Sequence, residues 1–242
     1  MNRTVILDGA RTPFGKFGGA LAGLQASDLG GIAIKAALEK SGVQPEEVQE
    51  VIFGTVLQAG QGQIPSRQAA SKAGIPWNVK TETINKVCAS GMRSITLGDQ
   101  LIRLGDEEVV VAGGMESMSN APYYLPKGRF GLRMGDASIV DGMVYDGLSC
   151  SFDPKHVHMG TYGNATADEF HISRERQDAW AERSHRLAAQ SADKFSEEIV
   201  PVEISQRKGD PVVVAHDEAV RPGTTVETVS YTHLTLPTIT AV

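Results

Sequence analysis

The chain has 242 residues, 41% of them hydrophobic, enough for a sizeable core in one large domain or two small ones. A formal net charge of −6 excludes nucleic-acid binding as the main task, because neutralising phosphates takes a clustered cationic surface and no long charge run supplies one. Two cysteines, Cys88 and Cys150, are too few for a disulfide framework, no run reaches membrane-spanning length, and Met1 to Thr4 passes into an apolar run without the regions of a signal peptide, so a cytoplasmic protein is expected.

In chain order, Val5-Ile6-Leu7 predicts a short strand closed by Asp8-Gly9. The glycine-rich loop after it, Ala10-Arg11-Thr12-Pro13-Phe14-Gly15-Lys16-Phe17-Gly18-Gly19, fits neither the dinucleotide fingerprint nor the phosphate loop, so its spacing gives no nucleotide site. Ser27 is placed to cap a helix over 28–40, with Leu29, Ile32, Ala33, Ala36 and Ala37 on one apolar face and Gly42 past its end. Pro45 starts a turn, 48–56 reads as a strand, and Gln61 to Ala69 opens a second helix. A strand over 81–84 then delivers Cys88. Met92, Ile95, Leu101 and Ile102 recur at helical spacing and predict a buried helix; Val109 to Val111 predicts a buried strand ending in a Gly113-Gly114 turn. Strands alternating with helices through residue 114 predict an α/β layered domain.

Cys88 falls at or just before the start of the third helix. Free N–H groups and the positive end of the helix dipole favour a thiolate there, and the same groups are able to hold an oxyanion. Ala89, Ser90 and Gly91 leave room for a substrate to approach. The competing reading is the ordinary one for a free cysteine, a small buried hydrophobe. Cys150 is read that way.

From Ser119 to about Arg221 the texture changes. Residues 121–135 are rich in proline, glycine and cations without periodicity, an excursion of the kind that forms functional loops or interfaces. One helix opens at His158-Met159-Gly160 and runs to about Glu169; a longer one starts at Ser173, and its Arg174, Glu175, Arg176, Asp178, Glu182 and Arg183 make a solvated face. His156 and His158 lack a third ligand at helical spacing, so no metal site is assigned. The last stretch, Val229 to Val242, carries no charge and reads as a non-native tail.

Two long motifs, Asn85-x-x-Cys88-x-Ser90-Gly91 and Gly113-Gly114-Met115-Glu116-Ser117-Met118-Ser119, resemble the nucleophile region of the thiolases, the acetyl-CoA acetyltransferases. Ala10-Arg11-Thr12-Pro13-Phe14-Gly15, Asp146-Gly147-Leu148, His156-Val157-His158-Met159-Gly160 and Asp217-Glu218-x-x-Arg221 resemble the same family, and the likeness extends to about Thr228. The resemblance implies a thiolase-like layered α/β fold in truncated form: an incomplete N-terminal core over 1–118, an incomplete loop domain covering coenzyme A over 119–228, and the tail 229–242. It implies Cys88 as acyl-carrying nucleophile in a ping-pong cycle that makes or cleaves 3-ketoacyl-CoA. Leu148, His158 and Met159 then border the pantetheine channel, Arg221 lies beside the adenine, and Arg67, in a passage near the family's dimer contact, is a structural or interface residue rather than a substrate clamp. Acyl-CoA is a substrate rather than a cofactor, no metal, membrane or nucleic acid is involved, and the whole protein is a homodimer or homotetramer. The family's Asn-Glu motif, Gly-His-Pro histidine and second cysteine for carbon–carbon bond formation, together with the histidine that activates the nucleophile, have no counterpart here, so this chain by itself is expected not to complete that step. A fragment that at most binds or is acylated by acyl-CoA, and a condensing enzyme of the ketoacyl-synthase kind, are the alternatives.

Overall fold

The computed structural model describes residues 3–231, and of the segment read as a tail, residues 232–242 lie outside the described residues. The described chain forms two units: one runs up to His158 and takes in Glu198–Glu218, the other comprises Met159–Glu197 and the chain from Ala219.

The first unit is built on a three-stranded parallel sheet ordered β2-β1-β3, with β1 at Glu50–Gly54, β2 at Lys80–Ile84 and β3 at Val110–Gly114. Parallel neighbours need crossovers, and helices α2 (Pro65–Lys72) and α3 (Ser90–Leu104) supply them. Every residue of β1 is buried, as a central parallel strand requires. Helix α1 (Ala26–Ser41) packs on α2 through Gly30 and Gly31, where a Cβ would meet Met115 Sδ at 2.5 Å and Lys72 Cβ at 2.8 Å. Ile34, Leu38, Val48, Val51, Phe53, Ala69, Ala70, Ile75 and Val79 close the core between these layers. Burial of each large aliphatic side chain among them contributes about 1.5–3 kcal/mol.

Three expectations are corrected. Helix α1 begins at Ala26, not after Ser27: Gln25 is the cap, its backbone N–H donating to Asp28 Oδ2 at 2.9 Å, and the buried Ser27 hydroxyl instead accepts from Lys72 Nζ at 2.8 Å. Val5, Ile6 and Leu7 form no strand and are exposed, because an apolar run acquires strand structure only by pairing and none of the described strands pairs with it. Helix α3 is present, but Met92 is 68% exposed and Ile95 45%, while its buried positions are Ser90, Ser94 and Gly98. The small face, not the bulky one, meets the sheet.

Beyond β3 the excursion holds a short antiparallel pair, β4 (Tyr123–Tyr124) with β5 (Val140–Asp141), followed by one wide turn of π-helix at Met143–Leu148. After the second unit's first three helices, α4 (Met159–Glu169), α5 (Arg174–Gln190) and α6 (Ala192–Phe195), the chain returns to the first unit as a hairpin, β6 (Val202–Ile204) with β7 (Val212–Val214). Val202 and Val214 pack with Leu21 as a small separate core. Ser173 caps α5 as expected, its hydroxyl accepting from the Arg176 N–H, and α7 (Val226–Tyr231) closes the described chain.

Candidate active site

The three parallel strands end side by side, with Gly54 in register with both Ile84 and Gly114. The carboxyl edge of a parallel sheet is where α/β proteins gather their reacting groups. Here β2 runs on through Asn85, Lys86 and Val87 to Cys88, and α3 starts two residues later with Ala89 as its cap, a residue that offers no side-chain cap bond to the first-turn amides. Glycines let the start of that helix touch the sheet: a Cβ at Gly54 would lie 2.5 Å from the Ser90 carbonyl carbon, one at Gly114 3.2 Å from Gly91 Cα, and one at Gly98 3.2 Å from Val110 Cγ1. The Ser94 hydroxyl fixes the helix further by donating to the Gly113 carbonyl at 2.8 Å.

The turn that presents Cys88 is strained. Val87 sits at φ 50°, a conformation a β-branched residue adopts at a cost of about 1–3 kcal/mol. Its neighbours hold it there. Asn85 Oδ1 accepts from the Val87 N–H at 2.8 Å, and Asn85 Nδ2 donates to the Val56 carbonyl at 3.3 Å. The Ser90 hydroxyl accepts from the Lys86 N–H at 2.8 Å and donates to the Val87 carbonyl at 2.6 Å. Cys88 stands exposed in this turn, against the ordinary expectation for a free cysteine.

Glu116 secures the segment that Asn85 touches, a role its place in a motif did not disclose. Its carboxylate accepts from Thr55 Oγ1 at 2.9 Å, from the Val56 N–H at 2.8 Å and from the Leu57 N–H at 3.1 Å. Across the same unit, the glycine-rich loop is held by two other acids. Asp217 takes two hydrogen bonds from Arg11, at 2.7 and 3.1 Å, and one from the Phe14 N–H at 2.8 Å, while Glu218 accepts from the N–H groups of Lys16 at 2.8 Å and Ala20 at 3.1 Å. Burial alone would push the Asp217 carboxyl up, but the bonds from Arg11 and Phe14 outweigh it and hold the group below its ordinary value. The Lys16 and Ala20 amides do the same for Glu218.

Leu148 ends the π-helical turn, half-buried, and the next residue, Ser149, pairs with His158 in an antiparallel bridge reinforced by Cys150 N–H donating to the Val157 carbonyl at 3.0 Å. Leu148 and His158 are therefore neighbours along one local strand pairing. A Cβ at Gly147 would lie 3.3 Å from Leu57 Cδ2, so this turn rests on the segment that Glu116 and Asn85 secure. Met159 begins α4 and is 45% exposed. Arg221 belongs with Met159 to the second unit, where its backbone N–H donates to His185 Nδ1 at 3.3 Å, beside a hollow of about 970 Å³ also lined by Arg174, Asp178 and Thr228. Arg67 is structural, as expected: its guanidinium lies 5.6 Å from the centre of the Trp77 ring and donates to the Val79 carbonyl.

An exposed cysteine beside a helix start is equipped for nucleophilic attack on an acyl carbon. The family model described as thiolase, N-terminal domain, matches residues 4–241, past the point at Thr228 where the sequence likeness was placed. Among curated relatives, the acetyl-CoA acetyltransferase of Cupriavidus necator is 53% identical over 232 residues, covering 95% of this chain and 58% of that protein. A probable acetyl-CoA acetyltransferase of Mycolicibacterium smegmatis is 50% identical over 228 residues, covering 93% and 58%. The solved structure of an acetyl-CoA acetyltransferase from Syntrophomonas wolfei superposes with a TM-score of 0.89 at 39% identity, over 96% of this chain and 58% of the other. The chain thus spans somewhat more than half the length of the relatives it matches.

Proposed function

The chain belongs to the thiolase family, matching its N-terminal domain, and from that premise we propose that Cys88 accepts an acyl group from a coenzyme A thioester and passes it to a second acyl-CoA. The observation that carries this reading is the seat of Cys88, exposed in a strained, fourfold-bonded turn at the carboxyl edge of the sheet, one residue before the cap-to-helix step into α3. The Cys88 sulfur attacks the thioester carbonyl, the carbonyl oxygen takes negative charge, and the bond to the CoA sulfur breaks. CoA leaves as the thiol, taking up the proton that Cys88 gave away. One thioester replaces another, so the step is close to thermoneutral.

Leu148, His158 and Met159 are proposed to border the pantetheine arm, and Arg221 to lie against the adenine as a stacked cation. Acyl-CoA is substrate, and no further cofactor is invoked. Joining the acyl group to a second acetyl-CoA, or thiolysis in reverse, also takes a base for the α-proton and donors for the enolate. The residues assigned here serve the acylation half. For the whole protein we expect a homodimer or homotetramer working in the cytoplasm; no helix among the described residues is long and apolar enough to cross a membrane.

Mixing the chain with acetyl-CoA and following free CoA tests this. The expected result is a burst of about one CoA per chain without acetoacetyl-CoA, abolished in Cys88→Ser. No burst from the unaltered chain, or an undiminished burst from Cys88→Ser, would overturn the reading.

A further inference from the structure

We propose that Tyr124 and Asp146 act as a pair of positioning residues for the acyl-CoA substrate, fixing the π-helical turn that carries Leu148 and seating it against the Cys88 turn. This rests on the acyl-transfer reading above and adds to it Tyr124, outside the matched motifs, and Asp146, which lies in one of them but was given no role.

The turn at Met143–Leu148 is tethered at both ends and along its length. At its start, Asp141 Oδ1 accepts from the N–H groups of Met143 at 2.9 Å and Val144 at 3.4 Å. In its body, the Tyr124 hydroxyl donates to Asp146 Oδ2. At its end, Ser149 pairs with His158. Wide turns of this kind are uncommon, are poorly stable in isolation and gather at functional sites. The Tyr124 ring is itself gripped: a Cβ at Gly142 would fall 2.6 Å from Tyr124 Cζ, 2.7 Å from its hydroxyl oxygen and 2.5 Å from the Pro122 carbonyl, so the backbone crosses directly over the phenol. Gly142 N–H in turn donates to the Pro122 carbonyl at 3.1 Å. Hydrogen bonding to Asp146, then burial, pushes the Tyr124 phenol up to about 12, so it stays a donor throughout the neutral range.

The connection to Cys88 is continuous. Asp146 precedes Gly147, Gly147 rests on Leu57, the Leu57 N–H is held by Glu116, and Asn85 joins the adjacent Val56 carbonyl to the turn bearing Cys88. Moving the Asp146 end of the wide turn shifts Leu148 and the His158 pairing relative to that surface. A residue acting this way changes where the substrate sits and leaves the sulfur itself untouched.

The test compares Tyr124→Phe, Asp146→Ala, Asp146→Asn and the double variant Tyr124→Phe/Asp146→Ala with the unaltered chain. In Tyr124→Phe the acetyl-CoA concentration for half-maximal acetylation of Cys88 is expected to rise about tenfold, the value of one well-made hydrogen bond. Alkylation by iodoacetamide, which needs no seat for CoA, keeps its rate. Asp146→Ala should match Tyr124→Phe, the double variant should be no worse than either, and Asp146→Asn, which keeps an acceptor for the phenol, should recover most of the affinity. Unchanged half-saturation in Tyr124→Phe overturns the proposal, as does equal slowing of acetylation and alkylation, the mark of general loosening. Equilibrium binding of acetyl-CoA to Cys88→Ala separates this from the parent reading. If the unaltered chain is never acetylated but Tyr124→Phe still weakens binding to Cys88→Ala, acyl transfer falls and the positioning role stands; if neither binds, both fall.

Discussion

Asn85 carries two bonds that no other side chain in its turn duplicates, one to the strained Val87 and one to the neighbouring Val56 carbonyl. Asn85→Ala should therefore cost about 1 kcal/mol in chemical unfolding and slow alkylation of Cys88, since the sulfur is presented by the turn that relaxes. Glu116→Gln keeps the shape but loses the charge that three donors share, an expected cost of about 1–3 kcal/mol by the same measurement. For Asp217 and Glu218 the sign is fixed by their lowered values in the folded chain: the stability they contribute is complete above the ordinary carboxylate range near pH 4 and is lost as pH falls through their folded values. Hydrogen exchange should show the Phe14, Lys16 and Ala20 amides opening first as pH drops below about 4, and Asp217→Asn should open Phe14 already at neutral pH. At this scale the nucleophile position was legible, because Cys88 and its small neighbours are contiguous. The acids that brace the site were not, since Glu116 bonds partners some 60 residues away and Asp217 reaches back 206 residues to Arg11. An acidic residue two positions after a strand that ends in two glycines was the available signal for Glu116.

Helix α3 shows why an element is easier to read than its orientation. Met92, Ile95, Leu101 and Ile102 marked the helix correctly, but the face that approaches the sheet is Ser90, Ser94 and Gly98, repeating every four residues. Small residues at that spacing permit the close approach that brings the helix start, and with it Cys88, to the strand ends. Gly54→Ala should consequently be costly, about 1–3 kcal/mol, and should depress Cys88 alkylation, because the added methyl meets the Ser90 backbone rather than a movable side chain. Ile95→Gln should change the stability of this chain by no more than about 0.5 kcal/mol, as for other exposed positions. The strands at 50–54, 80–84 and 110–114 were legible because their apolar or β-branched runs are bounded by turns, but the third is half-buried rather than buried, and Gly113 and Gly114, expected as its closing turn, pair within it beside Phe53 and Gly54. Val5 to Leu7 has the same local signature without a paired neighbour among the described strands, so composition identified a tendency whose fulfilment depends on tertiary contact. The wide turn at Met143–Leu148 left no periodic trace, since one turn is too short to set up a repeat.

Over the whole molecule, burial is concentrated in the first unit. Val51, Ile52 and Phe53 are nearly inaccessible, whereas α4 has no buried residue and α5 only Asp178. Native-state exchange should find the slowest amides in β1 and markedly faster ones in α4. Layered α/β architecture was legible from alternating patterns; family membership was legible only through the long motifs, because many chemistries share such folds. The acyl-transfer account finally depends on which atom receives the acyl group. The most direct measurement is peptide mapping by mass spectrometry after a single exposure to isotopically labelled acetyl-CoA. The label is predicted on the peptide bearing Cys88, released by neutral hydroxylamine as a thioester is, and absent from Cys150. An unlabelled Cys88, with acetyl found only on lysines or on Cys150, would contradict the account.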